Sequence, residues 1–184
     1  GNDVYVAGST VAGVAAYWKN GELTTLPEGY VANAIAVKGS DVYVGGMSAI
    51  GSVLTWKNGA STQLVYGAAN ATISWVTGIA VTGDDTYLAG AEPIGDDGLA
   101  PTIWKNSVAD NLTVPSGMSS NPSNNEVTGL ALFYADVYVA VQVNNNATQQ
   151  FKGYYYKNND TPVQLQDAGH GVQAYGIAVV NKNQ

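Results

Sequence analysis

The chain has 184 residues, enough for one domain with a packed core. Fourteen acidic residues against seven lysines and no arginine give a net charge of -7. That balance excludes a nucleic-acid groove or an anionic membrane surface as partner, since both need clustered cations. The absence of cysteine excludes disulfides, thiol nucleophiles and thiolate metal sites. Charged residues make up only 11%, while Gly, Asn, Thr and Ser abound, a composition that suits a β-rich protein working outside the cytoplasm. No apolar run approaches the roughly 18 residues of a membrane helix, so no membrane insertion is expected. Gly1 reads as the start of a trimmed or processed chain.

Taken in chain order, the first element is the strand-like run DVYVAG (3–8). YWKNG (17–21) follows, with Asn20-Gly21 as a hairpin signal because both residues tolerate positive φ. Leu26 and the apolar run AIAV (34–37) complete the set, and KGS marks a tight reversal. The set then returns as DVYVGG (41–46), TWKNG (55–59), Leu64 and GIAV (78–81). It returns again as DTYLAG (85–90), IWKNS (103–107), Leu112 and GLAL (129–132). The last copy is DVYVAV (136–141), YYKNN (155–159), Leu165 and GIAV (176–179). The runs are rich in Val, Ile, Tyr and Trp and bounded by turn residues, and no segment sustains a helical period.

Four-stranded units of about 40–45 residues are the mark of propeller blades. GIAV followed by DVYVAG resembles the first two strands of an NHL-type blade, and DVYVGG is similar to the second strand of a Kelch repeat. The resemblance implies a strand order with IAV innermost, DVYV second, WK third and the leucine run outermost. The expected fold is all-β: a four-bladed β-propeller with four antiparallel strands per blade. The C-terminal strand is expected to join the first blade and close the ring. Blade one then comprises 3–31 plus 172–180, blade two 32–74, blade three 75–125 and blade four 126–171. Half of a larger ring and another all-β fold are the alternatives. Closure removes the free edge, so a monomer is expected. Small residues on alternate inner-strand positions, Ala34, Gly78, Gly129 and Gly176 among them, suit a narrow axis. Ordered water or one weakly held ion is expected there, an arrangement similar to the tunnel of hemopexin-type propellers.

In that ring the connections 9–14, 91–101, 144–153, 27–31 and 115–126 differ in length and share one face, while those on the other face are short and alike. Variable loops on a fixed scaffold are where a repeat protein carries its site. The residues just ahead of the inner strands break the repeat: Val31 and Asn33, Trp75 and Thr77, Glu126 and Thr128, Gln173 and Tyr175. A shallow basin containing Asn33, Trp75, Thr77, Glu126, Thr128, Gln173 and Tyr175 could stack on a sugar or grip a peptide. Ordinary packing at the strand ends is the competing reading. The expected function is a non-catalytic binding or scaffold module of an exported protein, outside the cell, in the periplasm or on the surface. Its partner would be a glycan, a peptide or a protein. The style of repeat resembles secreted proteins and lipoproteins of bacteria.

The alternative is a carbohydrate-active hydrolase or lyase using Glu92, Asp96, Asp97 or Glu126, which would need two carboxylates across a cleft. His170 is the only histidine, and no motif surrounds it, so neither a triad nor a zinc site is expected. Asp84-Asp85 and Asp96-Asp97 could suit calcium, but turn chemistry explains them better. Asn70 begins a sequon of the kind that chance supplies in so much Asn and Thr. No cofactor is expected. Trp18, Trp56, Trp104 and Tyr156 should pack blade against blade, as should Tyr5, Tyr43, Tyr87 and Tyr138. Lys19, Lys57, Lys105 and Lys157 should mark the rim beside their hairpins.

Overall fold

Turn chemistry sets the strand pairing. Asn20-Gly21 and Asn58-Gly59 take positive φ at both positions, 51° and 88°, then 51° and 85°. Asn106-Ser107 does the same, at 49° and 72°. Type I′ turns need this, and their twist matches that of the strands they join. The computed structural model describes residues 2–64, 75–94, 98–118, 125–166 and 169–181. Within them β1 (Tyr5–Ser9), β2 (Ala15–Lys19) and β3 (Glu22–Thr25) form a three-stranded sheet. The second sheet is β4 (Gly29–Lys38), β5 (Asp41–Ser48), β6 (Val53–Lys57) and β7 (Ala60–Gln63). The third is β8 (Trp75–Thr82), β9 (Asp85–Ile94), β10 (Gly98–Lys105) and β11 (Val108–Asn111). The fourth is β12 (Asn125–Phe133), β13 (Asp136–Asn144), β14 (Phe151–Lys157) and β15 (Val163–Gln164). Neighbouring strands are antiparallel and stand in chain order throughout.

Each sheet fastens its hairpin end with the same three side chains. The Asn of the turn accepts the backbone N–H of Val4, Val42, Thr86 or Val137 on its Oδ1, at 2.8–2.9 Å. Its Nδ2 donates to Asp3, Asp41, Asp85 or Asp136, at 2.6–3.0 Å. The lysine before it, Lys19, Lys57, Lys105 or Lys157, pairs with the same carboxylate at 2.8–3.0 Å. In three sheets that lysine also lies over the ring of Tyr5, Tyr43 or Tyr87, 5.2–5.5 Å from its centroid. Lysine and then asparagine hold Asp3, Asp85 and Asp136 below the usual carboxylate range. At Asp41 the asparagine contributes first. Lys19 is pushed up to about 12, mainly by Asp3 and then Tyr5. The aspartate that heads each copy and the Lys-Asn pair downstream are thus one clasp.

The sheets stack face to face, and a core fills each gap. Between the first and second sheets, Trp56 is buried with Ala15, Leu26, Ala32, Val44 and Leu54. Its indole N–H donates to Pro27 O at 2.9 Å. Between the second and third, Trp104 meets Val53, Leu64, Val76 and Leu88. Between the third and fourth, Tyr156 meets Ile103, Leu112, Val127 and Val139, and its hydroxyl donates to Thr113 O at 2.8 Å. Every junction therefore seats the third-strand aromatic of one sheet on the outer leucine of the sheet before it. Burial of such rings is the largest apolar contribution available to each gap.

The expected closed ring is not formed. The four sheets are separate and none is closed, so the arrangement is sandwich-like and the four-bladed propeller is overturned. The first sheet keeps three strands. Residues 172–180 join no sheet among the described residues, and they do not complete the first one. Val172 N–H donates to Phe151 O at 2.8 Å, and Gly176–Ile177 lies against β12, where a side-chain carbon at Gly129 would meet Ile177 N at 2.9 Å. The segment is thus held at the fourth sheet. Without a ring there is no axial channel for the expected water or ion. The small inner-strand residues serve close approach instead: a side-chain carbon at Gly78 would meet Leu130 Cβ at 2.9 Å.

Candidate functional site

The residues picked from the broken repeat share a local geometry. Asn33, Thr77 and Thr128 each sit where the register shifts: between Ala32 and Ala34 in β4, between Val76 and Gly78 in β8, and between Val127 and Gly129 in β12. They are the extra residues of β-bulges, which re-aim a side chain out of the ladder. Two bulges are backed by glycines for lack of space. A side-chain carbon at Gly46 would come within 2.1 Å of Val31 O, and one at Gly90 within 1.9 Å of Trp75 O. The bulged threonines repair the interrupted ladder: Thr77 Oγ1 donates to Ala89 O at 3.2 Å and Thr128 Oγ1 to Ala140 O at 3.4 Å. Asn33 Nδ2 instead crosses to the next sheet and donates to Val76 O at 3.1 Å.

Four of the seven expected site residues come together. Asn33, Trp75, Thr77 and Glu126, with Val76 and Val127, line one shallow open depression of about 400 Å³ that spans the inner strands of three sheets. Trp75 and Glu126 are half-buried. Gln142 Nε2 donates to Glu126 Oε2 at 2.8 Å, fixing the carboxylate. Gln142 is a residue that repeat-breaking did not single out, because it lies within β13. Thr128 is occupied at its own bulge and does not line the depression. Gln173 and Tyr175 lie apart from it, exposed, with the Tyr175 hydroxyl donating to Gln173 Oε1 at 2.7 Å.

The other acidic candidates are placed differently. The connection 91–101 is largely strand: β9 and β10 extend into it, pairing Glu92 with Ala100. Glu92 is therefore buried, not on a loop. Burial raises its pKa, and Asn111 and Trp104 partly offset this. Neither Glu92 Oε2 nor Trp104 Nε1 completes a hydrogen bond. Asp85 belongs to its clasp, and His170 is exposed. Asp96, Asp97 and Asn70 lie outside the described residues. The chain matches no protein-family model, and comparison with curated protein sequences gives no match.

Proposed function

We propose that the protein is a non-catalytic binding module of an exported protein, and that the depression around Trp75 takes a glycan. The observation that carries this is the meeting of one indole, one amide, one hydroxyl and one carboxylate in a single open depression. A sugar ring stacks its apolar face on an indole and offers hydroxyl donors to a carboxylate. The hydrolase or lyase reading needs a second carboxylate facing the first across about 5–10 Å. Glu126 is the only carboxylate among the lining residues, and Gln142 engages one of its oxygens.

The test is tryptophan fluorescence of the whole chain titrated with a panel of neutral oligosaccharides. At least one should give a saturable change, lost in Trp75→Ala and weakened about tenfold or more in Glu126→Gln, with the far-UV circular dichroism of both variants unchanged. A flat response across the panel, or release of reducing ends from any oligosaccharide, would overturn the reading.

A further inference from the structure

We infer that two copies of this chain associate head to tail, the segment 176–180 of one adding as the missing inner strand to β1 of the other. The two ends of the row of sheets are complementary in three independent respects.

The first is the strand itself. In each complete sheet the second strand is flanked on its inner side by an IAV-type strand in one register. Ile35 faces Val44, Ala36 faces Tyr43, Val37 faces Val42 and Lys38 faces Asp41. The third and fourth sheets repeat this with Ile79–Leu88 through Thr82–Asp85 and Leu130–Val139 through Phe133–Asp136. β1 carries the same second-strand sequence but pairs only with β2 among the described residues. Its Val4 and Val6 are 61% and 53% exposed, whereas the matching Val42 and Val44 are 7% and 1%. GIAV at 176–179 repeats the inner-strand sequence but pairs with no second strand among the described residues. The common register places Ile177 opposite Val6, Ala178 opposite Tyr5 and Val179 opposite Val4.

The second is a glycine. In the second and third sheets the bulged inner strand presses on Gly46 and Gly90, where a side-chain carbon would clash, whereas the fourth sheet has Val141 in that place. Gly8 holds the same place in β1, yet only the Trp18 ring lies near it. Aligned with its counterparts, Gly8 would face Ala174, and Tyr175 would be the bulged residue, as Asn33 is in β4.

The third is the packing ladder. Leu26, Leu64 and Leu112 each receive the aromatic of the following sheet. Among the described residues no sheet follows the one beside Leu165 and none precedes the one that holds Trp18, and both side chains are only half-buried. Seating Trp18 of one copy on Leu165 of another makes a fourth junction like the other three. The monomer expected from ring closure loses its basis, because the chain's own segment rests on β12. A contact that joins unlike ends is heterologous, so it propagates until a ring closes or a filament grows.

The chain lacks cysteine, which gives a clean test. Val4→Cys and Val179→Cys chains, mixed and oxidised, should yield a disulfide-linked dimer far more readily than either variant alone. Sedimentation of the native chain should show mass rising with concentration from one copy to two or more. Val6→Lys places a charge on the free edge; it should remain folded by circular dichroism and sediment as one copy at every concentration. Three results would each overturn the inference: a native chain that stays single at all concentrations, a Val6→Lys variant that associates undiminished, or a Val4→Cys/Val179→Cys double variant that closes its disulfide within one chain when dilute. The last would mean that the segment reaches β1 of its own copy.

Discussion

Trp18 and Trp56 hold the same place in their sheets but not the same surroundings, and truncating each tests the stacking directly. Trp56 is 1% exposed in the gap between the first two sheets. Gly29 yields to it: a side-chain carbon there would meet Trp56 Cζ2 at 2.6 Å. Trp56→Ala empties a large site that backbone on two sheets frames, at a cost of about 3–5 kcal/mol. It also strips Pro27 O of its donor at 2.9 Å, which adds about 1–3 kcal/mol if water does not reach that carbonyl. For a domain of this length each kcal/mol lowers the melting temperature by roughly 2–4 °C, so the packing loss alone predicts a fall of roughly 6–20 °C. Trp18→Ala, at a half-buried face, should cost far less in dilute solution. Trp56→Phe keeps most of the packing and should fall between them. The assay is thermal unfolding by near-UV circular dichroism, at a concentration where sedimentation shows single chains. Equal losses for Trp18→Ala and Trp56→Ala would refute the claim that the third-strand aromatics act by filling gaps between sheets.

Three further outcomes are expected. Gly90→Ala should destabilise by about 1–3 kcal/mol or more, measured by urea unfolding, because its side-chain carbon would overlap Trp75 O; Gly39→Ala, which meets nothing but has positive φ, isolates backbone strain as the control. Glu92 has its pKa raised by burial, so its fold contribution is greatest when it is protonated and is lost as pH rises from the unfolded carboxylate value through the folded one. Glu92→Gln should therefore gain about 1–3 kcal/mol over the native chain at pH 7, and the gain should vanish near pH 4. The clasp aspartates have lowered pKa values, so their contribution is complete above about 3.8 and is lost as pH falls through the folded values. A chain with Asp41→Asn should show a shallower loss of melting temperature between pH 4 and pH 2 than the native chain.

Much of the sheet-level structure was legible in the residues. Asn-Gly dipeptides located two I′ turns, and the recurring Trp and Leu located the gaps between sheets. The clasp was legible too, since every heading Asp has its Lys-Asn downstream, although the lysines alone suggested only a rim. Closure was not legible. GIAV at 176–179 fits β1 as a strand, and that complementarity is a local property of two sequences. Which copy's segment meets it depends on the angle between successive sheets, set by side-chain volumes in three gaps such as the one filled by Trp104. At the site, the broken repeat singled out Asn33, Thr77 and Thr128, but as lining of a basin and not as the bulges they form. It did not show that a bulge spends a threonine hydroxyl on the opposite carbonyl, nor that β9 extends far enough to bury Glu92.

The sheets stand in a row, and the substantial contacts between elements of different sheets join only neighbours. Stability in such an array is close to a sum of single-sheet terms and junction terms, so cooperativity decays along the row. The two inner sheets have a junction on both sides and the two outer sheets have one. Unfolding should therefore begin as fraying from either end. Amide hydrogen exchange should be slowest in β5 and β9 and fastest in β1, β3 and β15, with opening free energies that step down sheet by sheet toward the ends.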